Sequence, residues 1–222
     1  MNGRHELKYY INYADYLLLR SRLRIVAEPD ENAVLDGAYR IRSLYFDNYL
    51  DKAVMEKLSG QSRREKFRLR YYNDDTTFIR LEKKSKANRL CYKESAIVTA
   101  EACSLLLNGE YGIMAQPDCP LLMELYSKIR YQNLRPRSIV DYDREAYLFH
   151  AGNVRVTFDS RIRTSNSVQR FLDPDLVTVP AANQIILEVK YDGFLPDIIR
   201  DILQIGWRNE TEFSKYVSAR LV

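Results

Sequence analysis

Histidine and cysteine are scarce in this chain of 222 residues, and their scarcity excludes two kinds of metal site. The two histidines, His5 and His150, cannot supply a His-rich metal centre. The three cysteines, Cys91, Cys103 and Cys119, are odd in number and lack CxxC spacing. The sequence therefore indicates neither a disulfide framework nor a zinc cluster.

Long hydrophobic runs are also missing, because no apolar stretch approaches the length that spans a bilayer. Residues 1–8 are charged and do not form a signal peptide, so we expect a cytoplasmic protein. No internal repeat, low-complexity tract or linker divides the chain, and residues 1–222 are predicted to form one domain. The net charge of +4 is too modest to indicate a nucleic-acid binder by itself.

Tyrosine is abundant, with 17 residues, and it favours β-strands. Period-two alternation predicts eight strands, at 4–12, 39–46, 63–72, 77–86, 89–97, 138–148, 154–163 and 184–192. The short links at Ala87-Asn88 and at 150–153 are typical of hairpins, so a mainly antiparallel sheet is expected.

Capping residues and apolar stripes predict four helices between these strands. They lie at 13–26, 100–107, 120–131 and 196–205, the last two with a proline in the first turn. The segments 29–37 and 165–182 carry Pro, Asp, Asn and Gly and are predicted to be loops.

The charged residues of the strands are sorted by sign. In the strand at 63–72, one face carries Arg64, Lys66, Arg68 and Arg70, and the other carries Phe67, Leu69 and Tyr71. The polar faces of all predicted strands hold 18 of the 34 Lys and Arg residues but only 5 of the 30 Asp and Glu residues. The remainder of the chain is correspondingly acidic.

Two interpretations of these basic faces are open. They can be the solvated side of a half-buried sheet, as is common in antiparallel proteins. However, like charges opposite each other on neighbouring strands are destabilising, and the amphipathic helices need an apolar face to cover. We therefore predict an α+β fold in which eight antiparallel strands form a barrel with a basic lumen, flanked by helices.

Such a lumen would favour phosphate groups, which the planar fork of arginine binds in a bidentate manner. The candidate phosphate-binding residues on the predicted inner faces are Lys8, Arg40, Arg42, Arg64, Lys66, Arg68, Arg70, Lys84, Lys93, Arg144, Arg155, Arg161 and Lys190, and Arg89 adds to the positive charge of these faces.

A few carboxylates share these basic faces, namely Glu6, Glu82, Glu188 and Asp159. Each can simply form an ion pair with a neighbouring arginine. Together with phosphate oxygens, two or more converging carboxylates would instead hold Mg²⁺ or Mn²⁺. Glu188 is the preferred ligand, with Glu6 and Glu82 as supports, and the combination is typical of phosphoryl transfer.

Six segments in order give the sequence a family resemblance. They are Glu6-Leu7-Lys8-Tyr9, Arg68-Leu69-Arg70-Tyr71-Tyr72, Leu81-Glu82-Lys83-Lys84, Tyr142-Asp143-Arg144, Leu187-Glu188-Val189-Lys190 and Phe213-Ser214-Lys215-Tyr216. The series resembles the VTC (vacuolar transporter chaperone) catalytic domain, a member of the triphosphate tunnel metalloenzymes of the CYTH-like superfamily.

This resemblance implies a tunnel of eight antiparallel strands and a polyphosphate polymerase that moves the terminal phosphate of ATP onto a growing chain. Glu188 would hold the metal, manganese or magnesium. The phosphate contacts implied by position are Lys8, Arg68, Arg70, Lys84, Lys93, Arg144 and Lys215, with Tyr142 assisting. Of these, Lys8, Arg68, Arg70, Lys84 and Arg144 are assigned the catalytic role.

The sequence departs from the family at Glu212, where a basic residue is frequent in the family. We therefore expect weaker binding of the product phosphate chain at one end of the tunnel. The inositol-phosphate-sensing domain and the transmembrane helices of eukaryotic members are not part of this sequence. Coupled export would therefore need a membrane-protein partner.

Two other functions remain open at this point. A triphosphate hydrolase would use the same tunnel with water as the acceptor, and a non-catalytic module would only bind polyphosphate or RNA. RNA would require aromatic stacking platforms, for which Tyr10, Tyr72 and Tyr142 are candidates. The cations outnumber these rings heavily, so no nucleic-acid partner is expected.

Overall fold

The computed structural model of this chain describes residues 4–31, 37–87, 90–204 and 210–222. The predicted turn residue Asn88 and the candidate Arg89 lie outside these ranges, as does the single tryptophan, Trp207. The same holds for parts of the predicted loop 29–37 and for the last residue of the predicted helix 196–205.

The described residues form ten strands and six α-helices. The strands are β1 (His5–Ile11), β2 (Glu28–Pro29), β3 (Ala38–Asp47), β4 (Arg64–Tyr72), β5 (Asp75–Ala87), β6 (Leu90–Val98), β7 (Arg135–Phe149), β8 (Val154–Ser165), β9 (Val179–Ala182) and β10 (Ile185–Tyr191). The helices are α1 (Tyr13–Val26), α2 (Lys52–Leu58), α3 (Ala100–Leu107), α4 (Pro120–Gln132), α5 (Asp197–Ile202) and α6 (Lys215–Arg220).

The predicted helices begin where their caps indicate. Asn12 and Asp15 form a reciprocal capping box at the start of α1, and the Thr99 side chain accepts a hydrogen bond from the Ala102 amide at the start of α3. Helix α5 is shorter than predicted, because Pro196 precedes its first turn and the helix ends at Ile202. Helix α2 was not predicted at all.

Eight long strands form one antiparallel sheet in the order β1-β10-β8-β7-β3-β4-β5-β6, and the short strands β2 and β9 pair with β7 and β8. The sheet curls until its edge strands meet, where a pair of backbone hydrogen bonds joins Arg4 to Cys91. This nearly closed barrel confirms the predicted α+β class and the eight antiparallel strands.

Helices cover the outer face of the curled sheet on two sides. On one side, α3 and α4 bury Leu106 and Leu125 against Leu69 of β4 and Leu81 of β5. On the other side, α1 and α5 pack on β1, β8 and β10, where Leu19 is fully buried. Because the apolar strand faces bind these helices, the opposite faces must line the interior of the barrel.

Helix α6 closes one end of that interior. Tyr216 stacks on Tyr45 of β3 with ring centroids 4.9 Å apart, and its hydroxyl donates to the buried carboxylate of Asp47 at 2.9 Å. Asp47 also accepts the amide of Ala53 in α2 at 3.0 Å, so one carboxylate fixes both helices. No helix within the described ranges is long and apolar enough to cross a membrane.

Candidate active site

Like charges face each other across the interior side of β4 and β5. The register places Arg64 opposite Lys86, Lys66 opposite Lys84, and Arg70 opposite Arg80. Strand β6 continues the row, with Lys93 opposite Lys84. Since directly opposed like charges destabilise a sheet, this arrangement requires a counter-charge inside the barrel.

The interior holds two adjoining cavities. The large chamber, of about 270 Å³, is lined by three glutamates and eleven cations. The glutamates are Glu6, Glu82 and Glu188, and the cations are Arg4, Lys8, Lys66, Arg68, Arg70, Lys84, Lys93, Arg144, Arg155, Lys190 and Lys215. The excess of positive charge makes this chamber a site for an anion.

The small chamber, of about 130 Å³, includes Arg64, Lys86 and Lys57 in its lining. It shares a wall with the large chamber, formed by Glu6, Lys8, Lys66, Lys84, Cys91, Phe213 and Ser214. The two chambers therefore adjoin each other, and the basic face of β4 and β5 lines both.

Glu82 neutralises several cations in the wall of the large chamber. Its carboxylate is 2.7 Å from Nε of Arg68, 2.5 Å from Nζ of Lys93 and 3.7 Å from Nη1 of Arg70. Burial disfavours the charged form of Glu82, but these cations outweigh it and hold the pKa of the carboxyl well below its usual range. The side chain is therefore ionised and orients both arginines.

Asp159 has the same role deeper in the barrel. It lies opposite Arg144 in the register and receives two hydrogen bonds from its guanidinium, of 2.6 and 2.8 Å. Lys215 of α6 also donates to it. Burial opposes ionisation, yet Arg144 and Lys215 lower the pKa of Asp159 to about 2. The carboxylate therefore fixes the positions of two chamber cations.

Glu6 and Glu188 are neighbouring carboxylates, and the charge of Glu188 raises the pKa of the Glu6 carboxyl. Glu6 is 2.5 Å from Lys8 and also contacts Lys84, while Glu188 contacts Lys190. Burial works against their charged forms, but Lys8, Lys84 and Lys190 lower the pKa of Glu6. Lys190, Lys8, Arg144 and Lys215 likewise hold the pKa of Glu188 well below its usual range. Two ionised carboxylates therefore adjoin each other in the chamber wall.

Lys66 differs from these residues, because no carboxylate within the described ranges lies in ion-pair contact with it. Its ammonium lies 5.6 Å from the centroid of the Tyr45 ring, and it lines both chambers. Burial, and then the charges of Lys84, Arg68 and Lys8, lower its pKa to about 7, although Tyr45 acts in the opposite direction. Lys66 is a cation without local compensation at the junction of the chambers.

Most residues predicted for the site lie on these walls. All five assigned a catalytic role line the large chamber, namely Lys8, Arg68, Arg70, Lys84 and Arg144. So do Lys66, Lys93, Tyr142, Arg155, Lys190 and Lys215, together with the predicted metal ligands Glu6, Glu82 and Glu188. Arg64 lines the small chamber.

The predicted positions of Arg40 and Arg42 on the inner face are wrong. Both point outward from β3, where their guanidiniums bind Asp141 of β7 at 2.9 Å. Arg42 is completely buried under the segment that follows β8, and it also donates to the Tyr71 hydroxyl. The inner face of β3 consists instead of residues such as Ser43 and Tyr45, which pair across from Arg70 and Arg68.

Alternation also predicts the wrong face for Arg161. A β-bulge shifts the register of β8 between its pairings with Asp141 and Asp143, and Arg161 has a left-handed φ of 50°. The bulge reverses the faces, so that Ile162 enters the interior core while Arg161 is 78% exposed and pairs with Asp143.

Sequence reasoning missed the polar groups that hold the arginines. The Tyr45 hydroxyl accepts a hydrogen bond from Arg68 at 3.0 Å, and the Tyr39 hydroxyl accepts one from Arg155 at 2.9 Å. Burial would raise the pKa of Tyr45, but Arg68, Lys66 and Arg70 lower it to about 7. The signal in the sequence was that Tyr39 and Tyr45 are six residues apart, an even spacing that puts both on one face of β3.

Comparisons with known proteins give one family and one fold. Residues 3–222 match the VTC domain family.

This chain belongs to the VTC domain family.

No curated protein matches the chain. Among solved structures, a candidate adenylate cyclase from Bacillus halodurans shares the fold, with 13% identity, a TM-score of 0.52, and coverage of 91% of this chain and 88% of that one. The PH1819 protein of Pyrococcus horikoshii aligns at 14% identity and a TM-score of 0.48 over 97% and 94% of the two chains. The fold is that of the CYTH-like triphosphate tunnel proteins.

Each of the six segments that resemble the VTC domain contributes to the tunnel wall. Tyr142, for example, receives a 2.8 Å hydrogen bond from Arg70 and lies under the ammonium of Lys215, 4.6 Å from its ring centroid. Lys215 is only 9% exposed, because α6 enters the end of the barrel. Its position in the interior depends on that helix.

Triphosphate tunnel enzymes typically use divalent metal ions, and this VTC domain has suitable ligands. Glu6 and Glu188 supply adjacent ionised carboxylates, the donors that Mg²⁺ and Mn²⁺ prefer. Nowhere in the described ranges do three His, Cys, Asp or Glu side chains converge. The two glutamates therefore fit a metal whose remaining ligands are phosphate oxygens and water, and such a metal would displace the lysines that contact them. Glu82 is bound by the guanidinium of Arg68 instead.

Asp159→Asn should lower the free energy of unfolding at pH 7 by about 3 kcal/mol or more, because it leaves Arg144 and Lys215 without their buried counter-charge. The lowered pKa means that Asp159 stabilises the fold above about pH 4 and that this contribution is lost as the pH falls through about 2. Urea unfolding at several pH values measures both effects.

The matched control is Asp197→Asn, which removes a 79% exposed partner of Arg200 on α5 and should leave stability nearly unchanged. If Asp159→Asn is as stable as the wild type at pH 7 and retains the same acid dependence, Asp159 does not carry the charge compensation assigned to it.

Proposed function

We propose that this VTC domain is a metal-dependent polyphosphate polymerase that transfers the terminal phosphoryl group of ATP to a polyphosphate chain. The observation that carries the proposal is the row of opposed like charges on β4 and β5, which continues from the large chamber into the small one. A phosphate chain can neutralise several of these opposed cations at once, because its negative charges are spaced along its length, whereas a single small anion reaches fewer of them.

In the proposed reaction, a terminal oxygen of the polyphosphate chain attacks the γ-phosphorus of ATP. The bond from that phosphorus to the bridging oxygen breaks, and ADP leaves. Catalysis of this kind is mainly positioning and stabilisation of negative charge by fixed cations. Arg68 and Arg70 suit that role, because Glu82, Tyr45 and Tyr142 hold their guanidiniums in place.

The other chamber cations divide into two proposed groups. Lys8, Lys84 and Arg144 act with the two arginines on the transferred group. Those that hold the nucleotide or the chain are Arg64, Lys66, Lys93, Arg155, Lys190 and Lys215. Manganese or magnesium, held by Glu188 and Glu6, would supply additional positive charge to the phosphate oxygens.

The tyrosines of the chamber do not form stacking platforms for bases. Tyr142 is 2% exposed, and the cations of Arg144 and Lys215 lie over its ring. Tyr72 packs against Tyr39 with ring centroids 5.9 Å apart, and Tyr10 contacts Phe213 but does not itself line either chamber. This arrangement favours bare phosphate over single-stranded RNA.

Arg68→Ala and Arg70→Ala should each reduce turnover at least about 100-fold, because each removes a fixed cation from the transferred group. The purified protein is incubated with ATP and Mn²⁺, and polymer and free phosphate are measured. Polymer is the expected product. Free phosphate alone would indicate a triphosphate hydrolase, and tight binding without turnover would indicate a binding module.

Arg200→Ala serves as the control, since Arg200 is an exposed arginine on α5 outside both chambers. Thermal unfolding verifies that the variants are folded. Wild-type turnover by folded Arg68→Ala or Arg70→Ala would contradict the assignment of the tunnel as the active site.

Glu188→Gln should raise the Mn²⁺ concentration for half-maximal activity by about tenfold or more, because it removes one anionic ligand. Metal-free binding of triphosphate should be retained or become tighter, since Lys190 loses its competing carboxylate. Activity as a function of Mn²⁺ and calorimetry without metal measure these two effects. An unchanged Mn²⁺ dependence would exclude Glu188 as a ligand.

Metal-free triphosphate binding should weaken as the pH rises from about 7 to about 9, because Lys66 must be protonated to bind phosphate. Its pKa in the free protein is about 7, and a bound phosphate raises that pKa, so binding takes up a proton. The affinity contribution is complete below about pH 7 and is lost as the pH rises through the pKa of the complex.

Calorimetry in buffers of different ionisation enthalpy counts the protons taken up. Lys66→Arg is the control, because arginine remains charged throughout this range. It should reduce the pH dependence to the part contributed by Lys190, whose pKa is lowered to about 8, chiefly by burial. The same alkaline weakening in Lys66→Arg as in the wild type would show that another group titrates.

A further inference from the structure

An acidic side chain lies among the last cations of the basic row. At the solvent-exposed side of the small chamber, the Glu212 carboxylate contacts Lys57, lies 3.5 Å from Nζ of Lys86 and lies 3.7 Å from Nη2 of Arg64. Glu212 is 65% exposed, whereas the three cations are each less than 30% exposed. We call these four residues the Glu212 cluster.

The backbone holds Glu212 in this place. The amide of Thr211 donates to the carbonyl of Lys8 at 2.8 Å, and Glu210 forms a bridge with Tyr9 of β1. On the other side, the Lys8 ammonium donates to the carbonyl of Phe213 at 3.3 Å. Glu210, Thr211 and Phe213 therefore hold this segment on β1, on both sides of Glu212.

The cations of the cluster belong to the same row as the chamber residues. Arg64 and Lys86 are partners in the register, one step beyond the Lys66 and Lys84 pair. In the Glu212 cluster, one carboxylate supplies the counter-charge that these cations require. The hydrogen bond from Lys57 and the nearby charges lower the pKa of Glu212, so it is ionised at neutral pH.

A carboxylate and a phosphate use the same donors. An anionic chain that extends from the large chamber through the small one must take Lys57, Arg64 and Lys86 away from Glu212, and it also meets the negative charge of that side chain. A triphosphate confined to the large chamber does neither.

We propose that Glu212 is a specificity-determining residue that restricts the tunnel to short phosphate chains by occupying the cations at the end of the small chamber. This inference rests on the proposed function, namely that a phosphate chain lies in the two chambers. It assigns the selection of chain length to one side chain and its three partners.

The test compares the binding of inorganic tripolyphosphate and of a long-chain polyphosphate, without metal, to the wild type and to Glu212→Gln. The variant should bind the long chain about tenfold more tightly, because three cations are released and a repulsive charge is removed. Binding of tripolyphosphate should change less than about threefold. The gain for the long chain should shrink as salt is raised.

Two variants control for a general change of charge. Glu210→Gln removes the same charge from the lining of the same chamber, at a carboxylate with no ion pair in the parts of the chain that the structure describes. This variant should change the affinities for both ligands slightly and equally. Lys57→Ala combined with Glu212→Gln should reverse the gain for the long chain, because it removes a released cation.

The role of Glu212 would be overturned if Glu212→Gln changed the affinities for both ligands equally or changed neither, while triphosphate still bound and its binding remained sensitive to Arg70→Ala. By contrast, a wild-type protein that binds neither ligand, or binds both regardless of Arg70→Ala, would overturn the proposed function itself, and the length selection with it.

Discussion

The repulsion between opposed cations on β4, β5 and β6 is the constraint on which the structure depends. Lys84 has Lys66 on one side and Lys93 on the other, an arrangement that destabilises an empty sheet. The strands cannot turn these faces to water, because their other faces are apolar and are buried under α1, α3, α4 and α5. Hydrophobic burial outside the barrel therefore confines the positive charge inside it.

The carboxylates of the interior make this confinement tolerable. Glu82, Asp159 and Glu188 are buried, Glu6 is partly buried, and each of these ionised carboxylates contacts two or more cations. Burial alone would favour their neutral forms, so their low pKa values measure the strength of the surrounding positive field. Part of this network is structural, as at Asp159, and part presents charge to a ligand, as at Glu6 and Glu188.

The two chambers give this electrostatic arrangement a direction. The large chamber has cations held in place by tyrosine hydroxyls and carboxylates, which suits chemistry on one phosphoryl group. The small chamber continues the basic face but ends at Glu212, where the counter-charge is already supplied. The cations of the row thus face a ligand site in the large chamber, whereas Arg64 and Lys86 at its end are already paired with Glu212.

Alternation along the sequence determined the eight antiparallel strands, the basic interior and most of the chamber residues, because period two separates the faces of any strand that remains regular. The same rule failed at Arg161, where a bulge reverses the faces. At Arg40 and Arg42 it placed both arginines on one face of β3 but not on the correct one, because their partner Asp141 lies on β7, a neighbouring strand that is far away in the sequence. Only the tertiary structure decided these positions. It also decided the contacts of Lys57, Lys215 and Glu212, because they come from helices and a crossing segment whose places are set by packing at the end of the barrel rather than by strand periodicity.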